Sequence, residues 1–162
     1  MTERDRKELS PPVRLAFIDD HAAVRIGLRA IFSTMPGFVC VAMAATVPEI
    51  LIQTTHIDVA VLDIRLGDDS SVKMNVRMLQ ATGAAVLVYS SGESPHLLRE
   101  AAAAGVATIV RKSESIDRLI TVIRDLAEGH VIDSADWASV LDGDSDFVDA
   151  RLTKREREVL AL

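Results

Sequence analysis

Six residues scattered along the chain carry side chains from which phosphate chemistry could be built: Asp19, Asp20, Asp63, Ser90, Ser91 and Lys112. Each stands at the end of a short apolar run. Leu15–Ile18 precedes Asp19-Asp20, Val59–Leu62 precedes Asp63, Ala85–Tyr89 precedes Ser90-Ser91, and Ala107–Val110 precedes Arg111-Lys112. Three carboxylates brought together repel one another and call for a cation. Mg2+ suits them, because it takes oxygen ligands, keeps several waters and binds through one or two carboxylates plus phosphate oxygens. Asp20 and Asp63 could supply those oxygens, with Asp19 holding a water. A carboxylate is also a competent nucleophile toward phosphorus, giving an acyl phosphate. A transferring phosphoryl group spreads its charge over three oxygens and is stabilised by positioned cations and donors. The metal, the Lys112 ammonium and the Ser90 hydroxyl could hold one oxygen each.

Singly, these residues have plainer readings. Aspartate after a strand often caps a turn or helix, a lone lysine is usually solvated, and a lone serine is usually a turn residue. The chemistry needs all of them at one rim, so it depends on the elements that carry them. The apolar runs alternate with helical patterns: Val24, Leu28, Ile31 and Phe32 after the first run, then a second run at Val39–Ala42. Thr46-Val-Pro-Glu49 has the spacing of a capping box with a proline in the first turn. Val72, Val76 and Leu79 line a third helix, and Ser94-Pro95 and Gly105 bracket a fourth as N-cap and stop. Ile116, Leu119, Ile120, Ile123, Leu126 and Ala127 form the widest stripe, ended by Gly129. Five strand-helix pairs in strict alternation predict an α/β fold, a five-stranded parallel sheet with helices on both faces. Ligands of such a sheet bind beyond the carboxyl ends of its strands, which is where the six residues stand.

At 162 residues the chain holds one ordinary domain and an appendage. Its hydrophobic content is 49% with only 4% aromatics, so the core is expected to be aliphatic. Cys40 has no partner for a disulfide and reads as a core filler. His21, His56, His96 and His130 lie apart without metal-ligand spacing and are assigned no role. No apolar run approaches the ~18 residues a bilayer span needs, and the polar start is unlike a signal peptide, so no membrane association and a cytoplasmic location are expected. Net charge is −6, which argues against nucleic-acid binding by the chain as a whole. Residues 1–150 carry 14 basic against 22 acidic side chains, whereas residues 151–162 carry 4 against 2. Between 130 and 150 there are six aspartates and no Lys or Arg, around a single Trp137 read as packing of a linker against a domain face. Thr153 and Glu156 then stand as a second capping box.

The ordered set Phe17-Ile-Asp-Asp-His21, Val61-Leu-Asp-Ile-Arg65, Val86-Leu-Val-Tyr-Ser-Ser91 and Val110-Arg-Lys112 resembles the receiver domain of response regulators. Leu152-Thr-Lys-Arg-Glu-Arg-Glu-Val-Leu160 resembles the opening of a LuxR-type helix-turn-helix, so the chain is similar to the NarL/FixJ class. The resemblance implies a flavodoxin-like sheet of order 2-1-3-4-5. It also implies a tail over residues 1–12 without fixed structure, a receiver over 13–129, an acidic linker over 130–150, and the start of the DNA-binding module over 151–162. A sensor histidine kinase would donate a phosphoryl group to Asp63, with Mg2+ on Asp19, Asp20, Asp63 and the backbone carbonyl of Arg65. Lys112 and Ser90 would contact the phosphate, and the surface around the fourth helix and fifth strand would change. Such a switch is a phosphoryl acceptor rather than an enzyme, with slow self-catalysed gain and loss of phosphate at most. Its output would be DNA binding and transcription through the C-terminal module. Helix-turn-helix recognition uses the second helix, which is expected in a longer molecule, and a homodimer is among the assemblies allowed.

Three positions depart from the family's usual form. The loop from Ile64 to Ser71 lacks a proline and adds Asp68 and Asp69; the fifth strand has Ile109 where an aromatic switch residue is common; and Ser91 stands where Ala is typical. The loop change puts metal affinity or loop order in question, and Ser91 leaves a second candidate beside the favoured Ser90. These departures motivate an alternative, a degenerate receiver that switches by protein contacts or a ligand without phosphate. An aspartate-nucleophile phosphohydrolase is a third reading, disfavoured because Asp63-Ile-Arg65 lacks a second acid two residues on.

Overall fold

The computed structural model describes residues 10–91 and 94–130, together with Glu3 and Ile132. Most of the tail predicted at 1–12, most of the segment after 130, Trp137 and the Thr153–Glu156 capping box lie outside the described residues, as does the boundary between linker and module at 150 and 151. Within them, strands β1 (Val13–Ile18), β2 (Phe38–Ala44), β3 (Val59–Leu62), β4 (Ala85–Ser90) and β5 (Thr108–Arg111) alternate with five helices. These are α1 (Ala22–Ser33), α2 (Val47–Gln53), α3 (Val72–Gln80), α4 (Pro95–Ala104) and α5 (Ile116–Ala127). All four strand pairings are parallel and the order is β2-β1-β3-β4-β5, the order that the family resemblance implies.

Side chains alternate across a strand, and each face of the sheet has its own core. Leu15, Phe17, Val59, Val61, Leu87 and Val110 face α1 and α5, where Leu28, Phe32, Leu119 and Ile123 cover them. The opposite face carries Ala16, Ala42, Ala44, Ala60 and Val88, and packs against Val47 and Ile50 of α2, Val76 and Leu79 of α3, and Leu98 of α4. Small residues at that face let the three helices approach the central strands. The few aromatics are concentrated: Phe17 and Phe32 have ring centroids 5.2 Å apart, and Phe38 meets Phe32 edge-on at 5.4 Å.

The local signals largely act as their chemistry dictates. The Thr46 hydroxyl accepts from the Glu49 amide at 3.4 Å, and Ser71 and Ser115 cap α3 and α5 in the same way. Gly105 ends α4 in the left-handed region at φ 86°, where a Cβ is strained. Ser94 stands at the N-cap of α4 yet makes no capping bond; its hydroxyl takes a hydrogen bond from the Arg65 guanidinium instead. β1 and β2 begin earlier than their apolar runs, because backbone pairing extends past the residues that face the core. At their amino-terminal end, Arg14 holds Asp58 at 2.9 Å, and that hydrogen bond lowers the Asp58 pKa.

Ile123 is fully buried between α5 and the sheet. Ile123→Ala is expected to cost about 2–5 kcal/mol, read as a lower urea midpoint with an unchanged slope.

Candidate functional site

The sheet order builds the site. β1 and β3 are neighbours, and their ladder runs one residue past the strand ends, with the Asp63 amide donating to the Ile18 carbonyl at 2.8 Å; on the other side of β1 the Asp19 amide donates to the Ala44 carbonyl of β2 at 3.2 Å. Asp19 and Asp63 therefore stand side by side at the carboxyl edge, both buried. Past β5, the Lys112 amide donates to the Ser90 carbonyl at 2.8 Å, and the side chain reaches back across β4. Its ammonium lies 2.7 Å from Asp19 Oδ2 and 3.1 Å from Asp63 Oδ2. Asp20 stands further out, with its side chain about one-third exposed. The cleft, of about 470 Å³, is lined among others by Asp20, Asp63, Arg65, Ser90, Ser91 and Lys112. All the residues singled out from the sequence meet at this one rim. Ser90 is the last residue of β4 and is buried, whereas Ser91 is exposed.

One residue assigned no role from the sequence also arrives here. His21 Nδ1 lies 3.0 Å from both Asp19 Oδ1 and Asp20 Oδ1, and 3.9 Å from Asp63 Oδ2. Adjacency to the acidic pair was the available signal, but the direction of the ring is set by the β1–α1 turn. There the His21 amide donates to Asp19 Oδ1 at 2.8 Å and the Arg25 guanidinium donates to the Asp19 carbonyl at 2.5 Å.

The loop after Asp63 is ordered without a proline. Asp68 accepts from the Ser70 amide at 3.1 Å and from its hydroxyl, and the buried Asn75 amide donates to that hydroxyl oxygen at 2.7 Å. Asp69 takes φ 56°, a left-handed conformation that aspartate tolerates better than most residues. Gly67 faces Asp20: a Cβ there would come within 3.1 Å of Asp20 Oδ2, tight enough to displace it. Ile109 is buried in the core beneath α4.

The electrostatics follow from burial. Desolvation raises the Asp63 pKa, the Asp19 charge raises it further, and Lys112 opposes both without cancelling them. For Lys112, burial works to lower the pKa, and the Asp19 hydrogen bond with the Asp63 and Asp19 charges more than offsets it, so the net shift is upward. Two of the three carboxylates share one lysine, and ligand atoms of Asp19, Asp20, His21 and Asp63 all lie within 4.8 Å of one another. Hard oxygen donors at an open cleft with uncompensated negative charge fit a small divalent cation.

The profile of the response regulator receiver domain matches residues 15–124. The chain belongs to that family. Receiver domains of this family act in two-component response regulators, as regulators rather than as conventional enzymes. Among relatives, this receiver is 31% identical over 150 residues to the transcriptional regulatory protein UhpA of Salmonella typhimurium, covering 91% of this chain and 74% of that protein. It is 28% identical over 159 residues to the DNA-binding transcriptional activator DevR/DosR of Mycobacterium tuberculosis, covering 93% and 73%. Among solved structures, a LuxR-family two-component response regulator from Aurantimonas sp. SI85-9A1 superposes with a TM-score of 0.68 at 26% identity, covering 82% of this chain and 96% of that one. Among the described residues no helix is long and apolar enough to cross a membrane.

Because burial and the Asp19 charge raise the folded-state pKa of Asp63 above its ordinary value, the fold favours its protonated form. Asp63 thus contributes stability at acid pH that is lost as pH rises through its raised value. Asp63→Asn is expected to raise the urea midpoint of the metal-free protein at neutral pH, with the advantage vanishing below about pH 4. Equal midpoints at neutral pH would contradict this electrostatic account.

Proposed function

We propose that Asp63 accepts a phosphoryl group from a sensor histidine kinase, and that this event controls a DNA-binding module following the receiver. The observation that carries the reading is the Lys112 ammonium set between Asp19 and Asp63, 2.7 and 3.1 Å away. Asp63 is the carboxylate positioned to attack: one of its oxygens forms the bond to phosphorus while the bond to the donor's leaving group breaks. Lys112 loses none of its charge in that step, and can pass from the Asp63 oxygen to a phosphoryl oxygen. Ser90, buried at the end of β4, is the favoured hydroxyl for a second oxygen, ahead of the exposed Ser91.

Asp19, Asp20 and Asp63, with the backbone carbonyl of Arg65, are the residues we assign to Mg2+. When bound, Mg2+ would screen the repulsion between these carboxylates and the incoming phosphoryl oxygens. The loop that lacks a proline leaves the acid–lysine geometry in place, which favours this reading over a phosphate-independent interaction module. A path outward also exists, because the Arg65 guanidinium donates to Ser94 at the start of α4. A charge arriving beside Arg65 competes for that guanidinium and so bears on α4 and the surface near β5.

In this reading the protein is cytoplasmic. The receiver spans residues 13–129, with residues 130–150 as an acidic linker and 151–162 as the opening of a LuxR-type helix-turn-helix. Pairing of two copies is a further step the switch could govern.

Incubation with Mg2+ and a small acyl-phosphate donor is expected to add one phosphoryl group by intact mass. Asp63→Ala should abolish the gain and Lys112→Ala should slow it roughly 100-fold. A wild-type protein that stays unlabelled under these conditions would overturn the proposal. Separately, calorimetric titration with Mg2+ alone is expected to show binding that Asp20→Asn weakens strongly and Ser90→Ala leaves in place.

A further inference from the structure

At the end of the sheet opposite the acidic cleft lies a second hollow that the phosphate chemistry does not use. It measures about 720 Å³ and opens where β1 and β2 begin, lined among others by Pro11, Val13, Pro36, Phe38, Arg124 and Ala127. Proline rings and the Phe38 ring make its walls apolar. Among the described residues its cation is Arg124, whose guanidinium stands 5.2 Å from the Phe38 ring centroid, and Glu128 is another of the lining residues.

The path of the chain indicates what fills it. After α5, Gly129 takes φ 77°, its amide donates to the Leu126 carbonyl at 3.1 Å, and the His130 amide donates to the Asp125 carbonyl at 2.9 Å. Those bonds fold the chain back onto the last turn of α5, and Ile132 packs against the same core cluster as Val13, Phe38 and Leu126 do. Ala127 and Glu128, the residues just before this turn, line the hollow, so the chain leaves α5 at its edge. Trp137 follows five positions after Ile132, within about 17 Å of extended chain. It is the single tryptophan of the protein, set among small and acidic residues, with Asp133 and Asp136 just before it. An indole gains most from an apolar pocket and from a guanidinium over its face, and acidic neighbours complement Arg124.

We propose that Trp137 seats in this hollow against Pro36 and Phe38, with Arg124 over its ring, and so pins the acidic segment to the receiver. The proposal stands apart from the phosphoryl chemistry, because it involves the other end of every strand. Pinning shortens the free length of chain between the receiver and residue 151, and so limits where whatever follows can stand.

Because the protein has one tryptophan, its fluorescence reports this site alone. The full 162-residue chain is expected to show blue-shifted emission and weak acrylamide quenching relative to a free tryptophan amide measured alongside. Ala127 is exposed on the last turn of α5, so Ala127→Arg fills the hollow without cutting the core. It should shift emission to the red and raise the quenching slope severalfold, while Ala103→Arg, exposed on α4, leaves both unchanged. Arg124→Ala should give an intermediate increase in quenching. A wild-type indole quenched like the free amide overturns the proposal. So does a shielded indole indifferent to Ala127→Arg, which seats Trp137 elsewhere, and so does shielding lost on dilution, which assigns the hollow to a second copy.

Discussion

The structure at the carboxyl edge depends on one lysine lying between two buried carboxylates. Asp19 and Asp63 belong to adjacent strands, and neither reaches enough water to be solvated well. Two buried charges of one sign are costly unless paired, and Lys112 is the group that pairs them. Neighbouring strands lie about 4.8 Å apart, so a residue after β5 can reach β3 only with a long side chain. A residue at the end of the intervening β4 needs only a short one. Lysine after β5 and serine at the end of β4 match that spacing. The residue types at the rim are thus matched to strand distance as well as to chemistry.

Pairing at the rim is incomplete. One ammonium faces Asp19 and Asp63 while Asp20 stands at the opening, and burial still leaves Asp63 with a raised pKa. Surplus negative charge at an open rim suits a cation, and the balance that Lys112 holds depends on the charge that Asp63 carries. The loop after β3 is tied in two directions. The Asp68–Ser70–Asn75 network anchors the β3–α3 loop to a buried amide, whereas Arg65 of the same loop reaches outward to Ser94. Ile109, buried in the core shared with α4, places an aliphatic side chain where the family often has an aromatic one, and the Arg65–Ser94 hydrogen bond is a polar link between the β3–α3 loop and the start of α4.

Much of this was legible from residue order. Apolar runs that end in acids, serines and a lysine, each followed by a helical stripe, determine a parallel α/β sheet and place the chemistry at one rim, because backbone direction is the same in every strand. Local capping was legible too at Thr46, whose hydroxyl reaches the amide three residues on. Only the tertiary structure decided matters that depend on where a side chain points. Ser94 had the sequence of an N-cap, but the Arg65 guanidinium from another loop competes for its hydroxyl. His21 gave no spacing signal, yet the turn after β1 swings its ring onto the acids. The loop without proline is held by Asn75, a residue of the following helix whose burial no local pattern announces. Sequence determines periodicity and the residue types at element ends, since those are local; the partner each polar group takes is settled by long-range geometry, in which several candidates compete for one hydrogen bond.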